Sequence, residues 1–138
     1  GMWLKTEKFL IMSMFFIVQK KLLSENMNRF SQLPEFEKEF SKLSRKYSSL
    51  FEDLKKLEKL LSTYPVGVGI NFVTIYHSPE AKIVKARLAC KSLKNRSIRV
   101  IYAYHDDSTT FVHIEIYYKG DKENENQERI KRYLKTLK

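Results

Sequence analysis

The chain has 138 residues, 43% hydrophobic and 30% charged; this is one domain's length with a core of its own, and it excludes a disordered chain and a multi-span membrane protein. Lys and Arg number 26 against 16 Asp and Glu, so a net charge of +10 favours a polyanionic partner: nucleic acid, an anionic membrane or an acidic protein. A single cysteine, Cys90, excludes an internal disulfide framework and a cysteine-rich zinc site, and it fits a reducing, cytoplasmic compartment.

Gly1 before Met2 reads as the remnant of a removed purification tag. Phe9–Val18 is then ten almost wholly apolar residues, bounded by Lys8 and by Lys20 and Lys21. A spanning helix needs about 20 apolar residues, so no membrane span is expected here, and no signal-peptide cleavage site follows. Three readings of residues 1–26 stay open. One is a helix covering an apolar surface of the domain, or pairing two copies as a homodimer. The second is a helix lying on a membrane surface. The third is an extension upstream of a native start at Met27.

Residues 27–138 form the main domain. Pro34 suits a first helical turn, where its missing N–H costs nothing, and Glu35 and Glu37 complement the helix dipole. Phe36, Phe40, Leu43 and Tyr47 recur at helical spacing. Ser49 and Glu52 have the spacing of a capping box that restarts a helix, whose stripe is Leu50, Leu54, Leu57 and Leu61. Tyr64-Pro65, Gly67 and Gly69 end it. The short join predicts an antiparallel helical hairpin.

After Pro65 the pattern turns to strands: Val68–Tyr76, Lys82–Ala89, Ile98–His105 and Thr109–Tyr118. The turns between them fall at His77–Glu80 and at Asp106-Asp107-Ser108. A polar loop, Lys119–Asn124, leads to a closing helix with Ile130, Leu134 and Leu137 in phase. Helices followed by strands predict an α+β fold: a helical hairpin on an antiparallel sheet of about four strands, a short C-terminal helix, and an extra N-terminal helix.

Between Ala81 and His105 lie Lys82, Lys85, Arg87, Lys91, Lys94, Arg96 and Arg99, with no Asp or Glu among them. Elsewhere Lys and Glu interleave, as on ordinary solvated helices. The acid-free stretch reads as a phosphate-binding face or, more plainly, as a Lys-rich exposed sheet face. Strand alternation sharpens the first reading. Lys85 and Arg87 oppose Val84, Ala86 and Leu88. Arg99 opposes Val100 and Tyr102. If Val112, Ile114 and Ile116 face the core, His113, Glu115 and Tyr117 do not. One sheet face then carries Lys85, Arg87, Arg99, His113, Glu115 and Tyr117: cations for phosphate, a candidate base in Glu115 and aromatic surface for a nucleobase. The plainer readings make His113 a surface histidine and Glu115 a cross-strand partner of Arg87 or Arg99. The three histidines lack metal-ligand spacing, so neither a metal nor a cofactor is expected. Cys90 reads as packed rather than nucleophilic.

Pro34–Phe40 with its helical hairpin, Lys85-Ala86-Arg87-Leu88, Arg99-Val100-Ile101-Tyr102 before an Asp-Asp-Ser turn, and Glu115-Ile116-Tyr117-Tyr118 are in an order that resembles the RelE/ParE superfamily of toxin–antitoxin toxins. The resemblance covers residues 27–138. It implies a small α+β domain and, for RelE-like members, metal-independent cleavage of mRNA in the ribosomal decoding site by the RNA's own 2′-hydroxyl. It also implies catalytic roles for Lys85, Arg87, Arg99 and Lys119. Lys82, Lys91, Lys94 and Arg96, from the acid-free run, are expected to contact RNA, and Tyr117 and Tyr118 to stack on it. The histidine of a YoeB-like His-Tyr pair is replaced here by Tyr117, and the C-terminal tyrosine of RelE-like members falls near Glu125, so the general base is open. The expected partners are mRNA, the ribosome and an antitoxin with an acidic segment. Two alternatives remain: a ParE-like protein that targets gyrase without cutting RNA, and a non-toxic basic RNA-binding domain.

Overall fold

The computed structural model describes residues 29–137, together with Met14. The apolar run Phe9–Val18, its expected helix and any dimer through it therefore lie outside the described residues, Met14 apart. The elements are β1 (Phe30–Gln32), α1 (Pro34–Lys46), α2 (Leu50–Thr63), β2 (Phe72–His77), β3 (Lys82–Cys90), β4 (Asn95–His105), β5 (Thr110–Tyr118) and α3 (Gln127–Lys135). The fold is α+β. Among the described residues no helix is long and apolar enough to cross a membrane.

The sheet differs from the expected antiparallel four strands. It has five, in the order β1-β5-β4-β3-β2, and β1 runs parallel to β5 while the remaining pairs are antiparallel. Three residues are too few for an alternation pattern, so β1 carries no strand signal of its own. It is recruited by pairing: Phe30 stands opposite Phe111, and their rings stack at 4.5 Å.

The helical hairpin covers one face. Phe36 and Leu43 of α1 and Leu50, Leu54, Leu57 and Leu61 of α2 are buried against Val84, Ala86, Val100, Tyr102, Phe111 and Ile116. Each fully buried side chain of this kind contributes roughly 1.5–3 kcal/mol, so this layer is the main source of stability. Cys90 is buried in the same core. The Tyr102 hydroxyl donates to the Pro65 carbonyl at 2.8 Å and ties down the loop after α2. In that loop Gly67 has φ +77, and a Cβ there would run into the Phe72 ring.

The expected capping box does not form. Ser49 precedes α2 with helical backbone angles and makes no side-chain cap bond. Its hydroxyl donates to Asp53 Oδ2 at 2.7 Å and accepts from the Ser92 N–H at 2.8 Å, which fastens α2 to the β3–β4 turn.

α3 crosses the opposite sheet face. Ile130, with Tyr133 and Leu134, packs on Ile83, Ile101, Ala103 and Ile114, a second and smaller core. Asn126 caps α3 by accepting from the Arg129 N–H at 3.0 Å. Replacing Asn126 by alanine removes that acceptor and is expected to cost about 1 kcal/mol, read by chemical denaturation. An unchanged midpoint would show that tertiary contacts alone hold the helix end.

Candidate functional site

A β-bulge decides which side chains meet on the α3 face. Between Ile101 and Tyr102 the β4–β5 register slips, and Ile114 is the extra residue. Side-chain alternation on β5 changes phase there. Phe111, His113, Ile116 and Tyr118 face the helical hairpin, while Val112, Ile114, Glu115 and Tyr117 face α3. The strict alternation expected from Val112, Ile114 and Ile116 therefore fails at its centre.

His113 is the casualty of that expectation. It is neither on the cationic face nor at the surface: it is buried between the rings of Phe30 and Phe36, with Nε2 2.9 Å from Glu58 Oε2. Tyr118 also leaves the set, since it packs toward Tyr47 on the hairpin side. Lys82 pairs with Tyr104 and His77. It is five residues, or about 16 Å, along β3 from Arg87.

The rest assemble. Arg87, Arg99 and Tyr117 stand opposite one another across β3, β4 and β5. Lys85, Ile101 and Glu115 form the next row. Lys119 is exposed just past the end of β5, where its N–H bonds the Ser97 carbonyl at 2.8 Å. Lys91, Lys94 and Arg96 are exposed around the β3–β4 turn, at the same end of the sheet. Among the described residues no group of three His, Cys, Asp or Glu is placed to hold a metal ion.

The charges on this face are unequal in their pairing. Lys85 Nζ meets Glu125 Oε2 at 2.9 Å. Glu115 is fully buried; its two oxygens hold Lys122 Nζ and, at 2.8 Å, the Asn126 N–H. Lys122 also lies 5.3 Å from the centre of the Tyr117 ring. Arg99 is different. Only 8% exposed, it has no carboxylate partner among the described residues; its Nη1 donates to the carbonyls of Arg96 and Ile98. Burial, and then the neighbouring Arg87 charge, push its pKa down. Burial pushes the Tyr117 phenol up against the opposing pull of Lys85. The buried Tyr117 hydroxyl has the Lys85 ammonium beside it but no partner at full hydrogen-bond geometry among the described residues.

A buried cation without a counter-ion, beside a second cation and an unsatisfied hydroxyl, is costly unless an anion completes it. The arrangement can hold a tetrahedral or trigonal-bipyramidal phosphoryl group, with two planar guanidinium forks and a phenol as donors.

The Lys85–Glu125 pair makes a pH prediction. Burial pulls the Lys85 ammonium down, but its bonds to Glu125 and its nearness to Tyr117 leave it raised. Burial pushes Glu125 up, but Lys85 and its local hydrogen bonds leave it lowered. A lowered carboxylate stabilises the fold above its unfolded pKa of about 4.3, and that contribution is lost as pH falls through the folded value. A raised lysine stabilises below about 10.4, and its contribution is lost as pH rises through the folded value. Glu125→Gln is therefore expected to lower the melting temperature at neutral pH, with the difference from wild type closing on acidification. A difference that stays constant with pH would remove the pair from the stability of the loop.

Several contributors are invisible to strand patterning. Arg129 sits on α3 within the buried stripe, and it bonds Glu39 of α1 through Nη1 at 2.8 Å and Nη2 at 3.0 Å, and the Ile114 carbonyl at 2.9 Å. A cation at the flank of the Ile130–Leu134 stripe is its only sequence signal. Lys122 and Glu125 sit in a polar loop with no periodicity, and Glu39 and Glu58 look like ordinary exposed helix charges.

The fold and this face define an α+β protein with a cationic row across one side of its sheet. Compared with protein-family models, curated proteins and solved structures, the chain finds no match.

Proposed function

We propose that the chain is a RelE-like toxin: a metal-independent, ribosome-associated mRNA endoribonuclease neutralised by an antitoxin with an acidic segment. The single observation that carries the reading is Arg99, buried beside Arg87 and Tyr117 with no carboxylate partner among the described residues. The order of helices and strands over the described residues, 29–137, supports this reading.

In this reading the RNA's 2′-hydroxyl gives its proton to water and attacks the adjacent phosphorus; the new P–O2′ bond makes a 2′,3′-cyclic phosphate as the bond from phosphorus to the 5′-oxygen of the next nucleotide breaks. Arg87 and Arg99 stabilise the extra negative charge on the equatorial oxygens. Lys85, held protonated by Glu125, is suited to donate a proton to the departing oxygen, not to accept one. Tyr117 offers its hydroxyl to the phosphoryl group. Glu115, with both oxygens occupied, anchors Lys122 and the start of α3 and is not free to act as the base. Lys119 extends the positive field at the strand end.

Induced expression followed by mapping of mRNA 5′ ends tests this. Cuts at ribosomal A-site codons are expected. Gyrase-linked DNA breaks without such cuts would replace the reading with a ParE-like one, and neither outcome would leave a basic RNA-binding domain.

A further inference from the structure

Residues 60–79 hold no Asp, Glu, Lys or Arg, in a chain that is 30% charged. Within them the loop 64–71 joins α2 to β2. It presents Tyr64, Val66, Val68 and Ile70 to water; Ile70 is 85% exposed and Val68 50%. The loop backbone is tied down beneath these side chains. Tyr102 holds the Pro65 carbonyl, the Gly67 N–H bonds the Tyr64 carbonyl at 2.9 Å, and the Gly67 backbone lies against the Phe72 ring. A contiguous apolar cluster held in water inside a polar rim marks a contact with a protein or a membrane.

Here the rim is cationic. Val68 is one wall of a groove of about 640 Å³, and Lys56, Lys91, Lys94 and Arg96 line the rest of it beside the β3–β4 turn. All four cations are exposed, and among the described residues none makes an ion pair. The carboxylate lining the groove, Asp53, is buried and already holds the Ser49 hydroxyl and the Lys91 N–H.

We propose that this loop and its cationic rim are a peripheral contact site for an anionic lipid bilayer. The aliphatic tip, Val66, Val68 and Ile70, enters the boundary between headgroups and acyl chains, and the four cations rest on the anionic headgroups. Apolar burial and attraction to the negative surface potential act together, and each is too weak alone to hold a protein there. Two other occupants fit less well. A single strand of RNA wants aromatic faces to stack on, and three of the loop's four exposed side chains are aliphatic. A second copy of the chain brings a net charge of +10 to a positive rim. The inference goes beyond the nuclease reading and uses none of its phosphoryl chemistry.

The test floats the full chain with vesicles of phosphatidylcholine alone, and with vesicles in which one lipid in three is phosphatidylserine. Binding should need phosphatidylserine and weaken as salt rises. Val68→Ser with Ile70→Ser should weaken it roughly tenfold while thermal unfolding stays unchanged, since both side chains are exposed. Lys91→Glu with Lys94→Glu should weaken it by roughly tenfold or more. Lys38→Glu with Lys42→Glu makes the same change in net charge on α1, which packs over β5, and should weaken it far less. An environment-sensitive fluorophore on Ile70→Cys should shift to the blue on vesicles, and one on Lys42→Cys should not; Cys90 is buried. Absence of phosphatidylserine-dependent binding would overturn the proposal. So would binding that the serine pair leaves intact, equal loss in the two charge-reversed pairs, or an unshifted fluorophore at position 70. Oligouridine binding that the serine pair weakens, without vesicle binding, would overturn it in favour of RNA. A dimer in sedimentation that the serine pair dissolves, without vesicle binding, would overturn it in favour of a second copy.

Discussion

Under the RelE-like function proposed above, replacing Arg99 by alanine is expected to lower ribosome-dependent mRNA cleavage by roughly a hundred- to a thousand-fold, the usual loss on deleting one donor to a developing oxyanion. From strand alternation alone, Arg99 points away from the main core, and its loss should cost little stability, as at an ordinary surface site. The structure alters the reason. Arg99 does leave the hairpin-side core, yet it is buried on the other face with no carboxylate partner among the described residues. Alanine gives up two bonds to backbone carbonyls, each worth about 1 kcal/mol net, and it also relieves the burial of a cation and its repulsion by Arg87. These effects oppose each other, so the change in stability should stay within about 1 kcal/mol. Activity and stability should separate. Arg99→Lys should recover only part of the cleavage, because a point charge replaces a planar fork. Primer extension on a translated message, with thermal unfolding of each variant, makes the comparison. Wild-type cleavage by the alanine variant would take Arg99 out of the site; a fall in melting temperature matching the fall in cleavage would make it a structural residue.

Arg129→Met should have the opposite profile, with the larger effect on stability. Arg129 is 9% exposed and joins three parts of the fold: α3 by its backbone, α1 through both oxygens of Glu39, and β5 through the Ile114 carbonyl. The Glu39 bonds, and then its charge, raise the guanidinium's pKa in spite of burial. Methionine keeps the bulk and removes the donors, which leaves the half-buried Glu39 carboxylate without its cation, holding only the Ile116 N–H at 3.4 Å, and takes a donor from the Ile114 carbonyl. Breaking a buried pair on one side typically costs 3–5 kcal/mol. Glu39 retains some access to water, so roughly 2–3 kcal/mol is expected here. For a domain of this size that corresponds to a fall in melting temperature of about 10 °C. Changing Glu39→Leu at the same time should recover part of the loss, since an apolar pair replaces the stranded charge. A single variant within about 1 kcal/mol of wild type would show that α3 is held by Ile130, Tyr133 and Leu134 alone.

Both predictions concern the end of the sheet where α3 leaves the surface polar, and this is where sequence reading and tertiary structure divide. Local periodicity was enough for α1, α2, β3, β4 and α3, because a 3.6- or 2-residue apolar repeat records which face is buried whatever the partner is. The acid-free run from Ala81 to His105 was equally legible, and so was the shared face of Lys85, Arg87 and Arg99, since alternation within an unbroken strand is a local property. Three things were settled only by pairing between distant segments. The bulge at Ile114 depends on how β5 meets β4, and by inserting one residue it sends His113 under the helices while keeping Glu115 and Tyr117 with the cations. β1 is a strand because Phe111 and its neighbours lie alongside it, at a separation of some 80 residues. Which cations are neutralised also had to await folding: Glu125 reaches Lys85 and Glu39 reaches Arg129 from other elements, whereas among the described residues no carboxylate reaches Arg99. The sequence by itself determined α1, α2, α3, β3 and β4 and the sign of the charge, because these reside in neighbouring residues. The tertiary structure decided register and counter-ions, because an ion pair or a bulge is a relation between segments that local periodicity does not encode.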